Sequence, residues 1–252
     1  MANFRDEKML VILDLKTKEQ RTMEIEYSHK CAVLARVSLH DRCTRMASIC
    51  SRARAFVFKL FLIRICFQFA SFHPRDPNIL AIGSVLGSVR IWDIEAQTEL
   101  SSFSVNNKSI EKMLFAFDGT VLIASHDISY VVTLDDQFDD KYWMKLKGHE
   151  RRVMDIMSLS ANICITGGRD YVIKVWNCRT GACLRTLPQH RSSVTLLALD
   201  RSGHVFASGS WNHLVIIWSS ATFEILHRLN LTNEIQVLAF GEGDNLYAGV
   251  FH

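Results

Sequence analysis

Two stretches of the chain carry a histidine, a hydroxyl residue, an acid or amide and a tryptophan in the same order at nearly the same spacing. They are His149, Thr166, Asp170 and Trp176, then His190, Ser208, Asn212 and Trp218. A hydroxyl, an imidazole and a carboxylate are the parts of a hydrolase triad, where the imidazole takes the hydroxyl proton and the acid orients the ring. A triad is needed once per active site. Here the set recurs, which suits a structural hydrogen-bond network better than catalysis. The sequence contains no G-x-S-x-G, P-loop, H-E-x-x-H or Rossmann G-x-G-x-x-G. Gly241-Glu242-Gly243 reads as a turn and not as a phosphate cradle. Asp135, Asp136, Asp139 and Asp140 cluster, but Phe138 interrupts them and no glutamate closes a calcium loop, so a solvated turn is expected. Seven cysteines show no C-x-x-C and no zinc spacing. No catalytic residue, metal, cofactor or small-molecule substrate is therefore expected.

The elements that must position these residues repeat with them. Trp92-Asp93, Leu134-Asp135, Trp176-Asn177 and Trp218-Ser219 follow one another at intervals of 42 residues, with Leu134 in the tryptophan place. Turns at 75–78, 117–119, 160–162, 201–203 and 241–245 each lead into a short apolar run: ILAIGS, VLIASH, ICITGG, VFASGS and LYAGVF. A tight turn then feeds the tryptophan strand, as in YVIKVW and HLVIIW, and a fourth strand follows, as in ACLRTL and FEILHRL. Four short strands per period predict radially stacked, four-stranded antiparallel sheets. A unit this short must bury its apolar face against copies of itself.

One segment breaks the period. His149 to Trp176 and His190 to Trp218 span 27 and 28 residues, whereas His29 to Trp92 spans 63. Removing residues 37–68 restores the spacing and joins HKCAVLAR to FASFHPRDPNILAIGS. That segment holds three of the seven cysteines and a local charge of +5, from Arg42, Arg45, Arg52, Arg54, Lys59 and Arg64 against Asp41. With a formal total of +3, the remainder of the chain is about −2, so overall charge gives no argument for nucleic acid. Val37-Ser38 can be encoded by a GTAAGT-like intron start and Phe67-Gln68 by a pyrimidine tract and CAG. The expectation is one domain over 1–252, interrupted at 37–68 by an in-frame retained intron, with a genuine surface insertion as the alternative. The apolar run Phe56 to Phe67 contains Lys59 and Arg64 and is too short to span a membrane. The start has acidic residues and only a brief apolar run, unlike a secretory signal. With the cysteine pattern this indicates a reducing compartment, cytoplasm or nucleus.

The unit KGHERRVMDIMSLSANICITGGRDYVIKVW resembles the WD-repeat (WD40) β-propeller family, with Gly148-His149 leading, Asp170 in the turn and Trp176 six residues later. The resemblance covers the chain apart from the insertion. It implies an all-β propeller of four-stranded antiparallel blades, about five blade-equivalents here. It also implies that His149, Thr166, Asp170 and Trp176 form a buried tetrad, as do His190, Ser208, Asn212 and Trp218. Leu86 and Ile128 stand in the Asp place of the two earlier repeats, which are expected to rest on apolar packing. The chain opens on two closing strands and ends on two opening ones. These could pair as a fifth blade, but the family's commoner count is seven, and a fragment of a seven-bladed propeller is expected.

In this family partner-binding residues commonly sit on the narrow face, before the first strand and just before the turn Asp. Carried over, those positions are Arg151, Arg152 and Arg169 in one repeat and Arg191, Ser192, Ser193 and Trp211 in the next. The function implied is a non-catalytic scaffold that binds other proteins or peptides on the propeller face within a larger complex. A ribonucleoprotein or rRNA-processing component is one alternative, through RNA on the arginines. A ubiquitin-ligase substrate receptor is the other, suggested by phrases such as TGACLRTLPQH.

Overall fold

The computed structural model describes residues 8–14, 20–25, 67–84, 86–105, 110–125, 129–134, 138, 140–241 and 245–251. Strands β1 (Lys8–Asp14) and β2 (Gln20–Ile25) come first. Four complete blades follow in sequence. Blade 1 holds β3 (Phe67–Phe72), β4 (Ile79–Ser84), β5 (Ser88–Asp93) and β6 (Thr98–Ser104). Blade 2 holds β7 (Ile110–Phe115), β8 (Val121–Ser125), β9 (Ser129–Leu134) and β10 (Asp140–Leu146). Blade 3 holds β11 (Val153–Ser160), β12 (Ile163–Gly168), β13 (Ile173–Asn177) and β14 (Cys183–Leu187). Blade 4 holds β15 (Val194–Leu199), β16 (Val205–Ser210), β17 (Leu214–Ser219) and β18 (Ile225–Asn230). The last strands are β19 (Ile235–Phe240) and β20 (Asn245–Phe251).

The two ends meet in one sheet of order β19-β20-β1-β2. Strand β1 runs antiparallel to β20, from Lys8 opposite Phe251 to Asp14 opposite Asn245. A fifth blade is therefore built from β19, β20, β1 and β2, and the pairing of β1 with β20 covers two strand edges. The terminal strands, expected as the two halves of a blade, do pair with each other.

The cores lie between blades. Ile79, Val89 and Ile91 of blade 1 pack with Met113, Ile123 and Val132 of blade 2. Leu114, Leu122 and Val131 of blade 2 meet Val153, Cys164 and Trp176 of blade 3. Met157, Ile165 and Val175 of blade 3 meet Leu197, Phe206 and Trp218 of blade 4. Ala207, Val215 and Ile217 of blade 4 meet Ile235, Leu238 and Leu246 of blade 5. This is why the second strands are continuous apolar runs: β4 is buried along its whole length, being covered on both faces. The fourth strands form the rim, and β18 alternates half-buried with exposed. The first strands of successive blades touch one another and form the inner wall.

Two sequence expectations change. Phe67 and Gln68, assigned to the insertion, lie in β3, with Phe67 opposite Ser84. The remainder of the insertion, and the strand expected at 29–36, lie outside the described residues. Leu134 was expected in the tryptophan place of blade 2. Thr166 pairs with Lys174, eight residues on, and Cys164 with Trp176. In blade 2 the hairpin is one residue shorter, Ile123 pairing with Tyr130 seven residues on. Val121 therefore faces Val132, which is fully buried at the position Trp176 fills in blade 3. Among the described residues no helix is long and apolar enough to cross a membrane.

Candidate interaction face

The tetrad of blade 3 is a single directed chain of hydrogen bonds. Indole can only donate, so Trp176 Nε1–H gives its proton to Thr166 Oγ1 at 2.7 Å. That leaves the Thr166 hydroxyl to donate to His149 Nε2 at 2.6 Å. His149 Nδ1–H then faces both carboxylate oxygens of Asp170 at 2.9 Å. The Glu150 N–H also donates to Asp170, at 3.0 Å. Burial alone would raise the Asp170 pKa; the hydrogen bond and charge of His149, with the N–H groups of Glu150 and Val172, outweigh it and hold the carboxyl below its ordinary value. The network ties the segment before β11 to β12, the β12–β13 turn and β13.

Blade 4 is wired differently at one link. Trp218 Nε1–H donates to Ser208 Oγ at 2.8 Å, and Ser208 meets His190 Nε2 at 2.7 Å. His190 Nδ1, however, contacts Ser210 Oγ at 3.1 Å, and Ser210 donates in turn to Asn212 Oδ1. Asn212 therefore joins through Ser210 and does not touch the imidazole directly. The cause is the residue ending the second strand, Gly168 in blade 3 and Ser210 in blade 4, which occupy the same register position opposite Val153 and Val194. A Cβ at Gly168 would lie 2.4 Å from Asp170 Oδ1 and 2.6 Å from His149 Nδ1. Glycine leaves room for the direct contact; serine fills that room and relays it. Burial, with Arg228 nearby, lowers the His190 pKa to about 4, so the ring is neutral.

Blade 1 has Ile82 in the hydroxyl place, opposite Arg90 as Thr166 is opposite Lys174. Leu86, in the Asp place, is exposed, and the turn is closed by Ser84 and Ser88, whose hydroxyls lie 2.7 Å apart. Ile128 lies outside the described residues.

The tetrads hold up a set of loops at one end of blades 3 and 4. The Arg169 N–H donates to the Arg152 carbonyl at 2.8 Å, and the Trp211 N–H to the Ser193 carbonyl at 3.1 Å. These equivalent bonds clip the β12–β13 and β16–β17 turns to the strands β11 and β15. Across the blade boundary, the Arg169 guanidinium lies 4.8 Å from the centre of the Trp211 ring, a cation–π contact. Trp211 remains 43% exposed. Arg151 and Arg191 are exposed and Ser192 is half-buried. Ser193, expected on the face, is buried, and its carbonyl is taken up by the clip. Arg152 turns sideways and pairs with Glu111 of blade 2.

Three further residues belong to this end. Tyr171, exposed, has a left-handed backbone with φ 69°, where blade 1 uses Gly87. Lys112 Nζ of blade 2 lies 3.4 Å from the buried Asp155 of blade 3, which also accepts the Leu197 N–H of blade 4 at 2.8 Å. The charge inside the apolar run VMDIM was the signal for Asp155. Among the described residues no three His, Cys, Asp or Glu side chains are placed to hold a metal ion. Asp135, Asp136 and Asp139 lie outside them.

The family model for the WD domain, G-beta repeat, matches residues 141–177 and 181–219, which span blade 3 with the end of blade 2, and blade 4 through its third strand. Similar proteins include protein tipD of Dictyostelium discoideum, 29% identical over 64% of this chain and 26% of its own length. Apoptotic protease-activating factor 1 of Rattus norvegicus is 27% identical over 60% of this chain and 12% of its length. The U3 small nucleolar RNA-associated protein 15 homolog of Gallus gallus is 28% identical over 62% and 30%. The matched stretch thus spans 12% to 30% of these relatives. With five four-stranded antiparallel sheets in the chain and the family model matched over 141–177 and 181–219, blades 3 and 4 are WD40 repeats.

Proposed function

We propose that the chain is a non-catalytic scaffold that holds other proteins or peptides against the loop end of blades 3 and 4, as one component of a larger intracellular assembly. WD40 repeats bind other proteins, and the family is generally non-catalytic. The observation that carries the reading is the Arg169–Trp211 stack. It joins two blades, sits on loops clipped to rigid strands, and leaves a large aromatic surface half open to solvent. Tryptophan and arginine are the residue types that dominate binding energy at interfaces, because each offers a broad planar contact with a directed donor. The hydroxyl and imidazole groups, by contrast, are consumed. Thr166 and Ser208 are fully buried and each satisfies a histidine and a tryptophan, so neither hydroxyl is placed to attack a substrate.

Affinity purification of the full chain, compared with Arg169→Gln plus Trp211→Ala, tests this. Loss of specific partners by the double variant is the expected result. An unchanged set of partners, with both proteins equally folded, rejects the face. The second reading, a ribonucleoprotein component, is favoured by the relatives named U3 small nucleolar RNA-associated protein 15 homolog. It requires RNA binding that weakens steeply with salt.

A further inference from the structure

The loop end of blades 3 and 4 is electrostatically lopsided. Three of its acids are already used, Asp170 by His149, Asp155 by Lys112 and Glu111 by Arg152, and Glu150 is exposed. Its outermost arginines are not. Arg151 and Arg191 are exposed and make no ion pair with any described residue. The Arg169 guanidinium lies over the Trp211 ring, and its Nε–H is withdrawn from solvent with no acceptor among the described residues. The Nε–H of Arg152 is left the same way, although its Nη2 holds Glu111. A buried donor without an acceptor carries an uncompensated desolvation cost, and that cost disappears if the guanidinium turns onto a carboxylate. Two such donors lie in adjacent loops, because the Arg169 N–H is bonded to the Arg152 carbonyl.

From this juxtaposition we infer that the face takes an acidic peptide segment, with side-chain carboxylates on Arg169 and Arg152 and the flanking chain across Trp211. The inference rests on the scaffold reading and adds the chemistry of the partner. A peptide is favoured over a nucleic-acid backbone for two reasons. The unfilled donors are single N–H groups at loop bases, suited to a compact carboxylate, and the arginines are interspersed with Glu111, Glu150, Asp155 and Asp170. That mixture does not form the continuous basic stripe a phosphate chain follows.

The test is selection of a random-peptide display library on the full chain, with fluorescence anisotropy on labelled peptides made from the winners. Recovered peptides should be enriched in Asp and Glu, and replacing their acids by Asn and Gln should weaken binding about tenfold or more. Arg169→Gln should weaken it comparably, and Arg169→Lys should not restore it, since the ammonium lacks the planar fork that stacks on Trp211. Circular dichroism and melting of each variant separate loss of binding from loss of fold. Absence of acidic enrichment, equal binding of the amide peptides, or tighter binding of a single-stranded RNA oligonucleotide overturns the inference. Cellular partners that are lost with Trp211→Ala but unaffected by Arg169→Gln leave the scaffold reading standing and remove only the acidic chemistry. Partners insensitive to both remove the scaffold reading.

Discussion

Replacing Thr166 by valine keeps the shape of the side chain and deletes one oxygen. That oxygen accepts from Trp176 Nε1 at 2.7 Å and donates to His149 Nε2 at 2.6 Å, in a residue with no exposed surface. Both partners are left buried and unsatisfied, and each such atom costs about 1–3 kcal/mol, so the loss should be roughly 2–5 kcal/mol. For a domain of this size, 1 kcal/mol shifts the melting temperature by about 2–4 °C, which places the drop at roughly 4–20 °C. The control is Thr186→Val, which removes an exposed hydroxyl that meets Lys174 Nζ and Cys183. It should stay within about 0.5 kcal/mol of the parent. Thermal unfolding followed by circular dichroism and tryptophan emission measures both. If Thr166→Val melts with the control, the tetrad contributes no net stability and the account of how blade 3 is held together is wrong.

Gly168→Ala should destabilise by roughly 1–3 kcal/mol in chemical denaturation, because its Cβ has no room beside His149 and Asp170. Equal midpoints would contradict the glycine argument. His190 is neutral in the fold down to a pKa of about 4 but titrates near 6.5 when unfolded. Below pH 6.5 the unfolded state alone takes up the proton, so stability should fall as pH drops from about 6.5 to about 4, by up to roughly 3 kcal/mol. His190→Gln should flatten that part of the profile, and an unchanged slope would assign it elsewhere. The Asp170 carboxyl has the opposite linkage: its contribution is present above the ordinary carboxylate range and is lost as pH falls through its lowered pKa. Asp155→Ala should cost about 2–4 kcal/mol, since it orphans the Leu197 N–H and leaves Lys112 without its counter-charge. A change within 0.5 kcal/mol would remove Asp155 as the link between blades 2, 3 and 4.

Periodic features were legible in the sequence because they follow from repetition. The interval between Trp92, Trp176 and Trp218 marks three tryptophan strands, and β5, β13 and β17 carry them. Spacing failed where a turn changed length: a sequence ladder counts residues, whereas a sheet counts paired positions. Strand β8 arrives one residue early against the period, Ile82 to Ile123 being 41 residues, and the β8–β9 turn loses one more, which together put Val132 in the place that counting gave to Leu134. The tetrads show a second limit. His190 and Asn212 match the pattern, yet whether they touch depends on the size of a neighbour, Ser210 against Gly168, which motif spacing does not encode. On the candidate face, exposed positions such as Arg151 and Trp211 could be placed from the repeat alone. The burial of Ser193 and the pairing of Arg152 with Glu111 depend on contacts with their own and adjacent blades, and a single repeat does not contain them.

The central claim, that the loop end of blades 3 and 4 is where partners bind, is tested most directly by position-specific photo-crosslinking in cells. A photoreactive amino acid at Trp211 is compared with one at Leu226, an exposed residue on the outer strand of the same blade. Discrete crosslinked partners from position 211, with few or none from 226, are expected. Partners captured from 226 and not from 211 would contradict the account and move the interface to the rim.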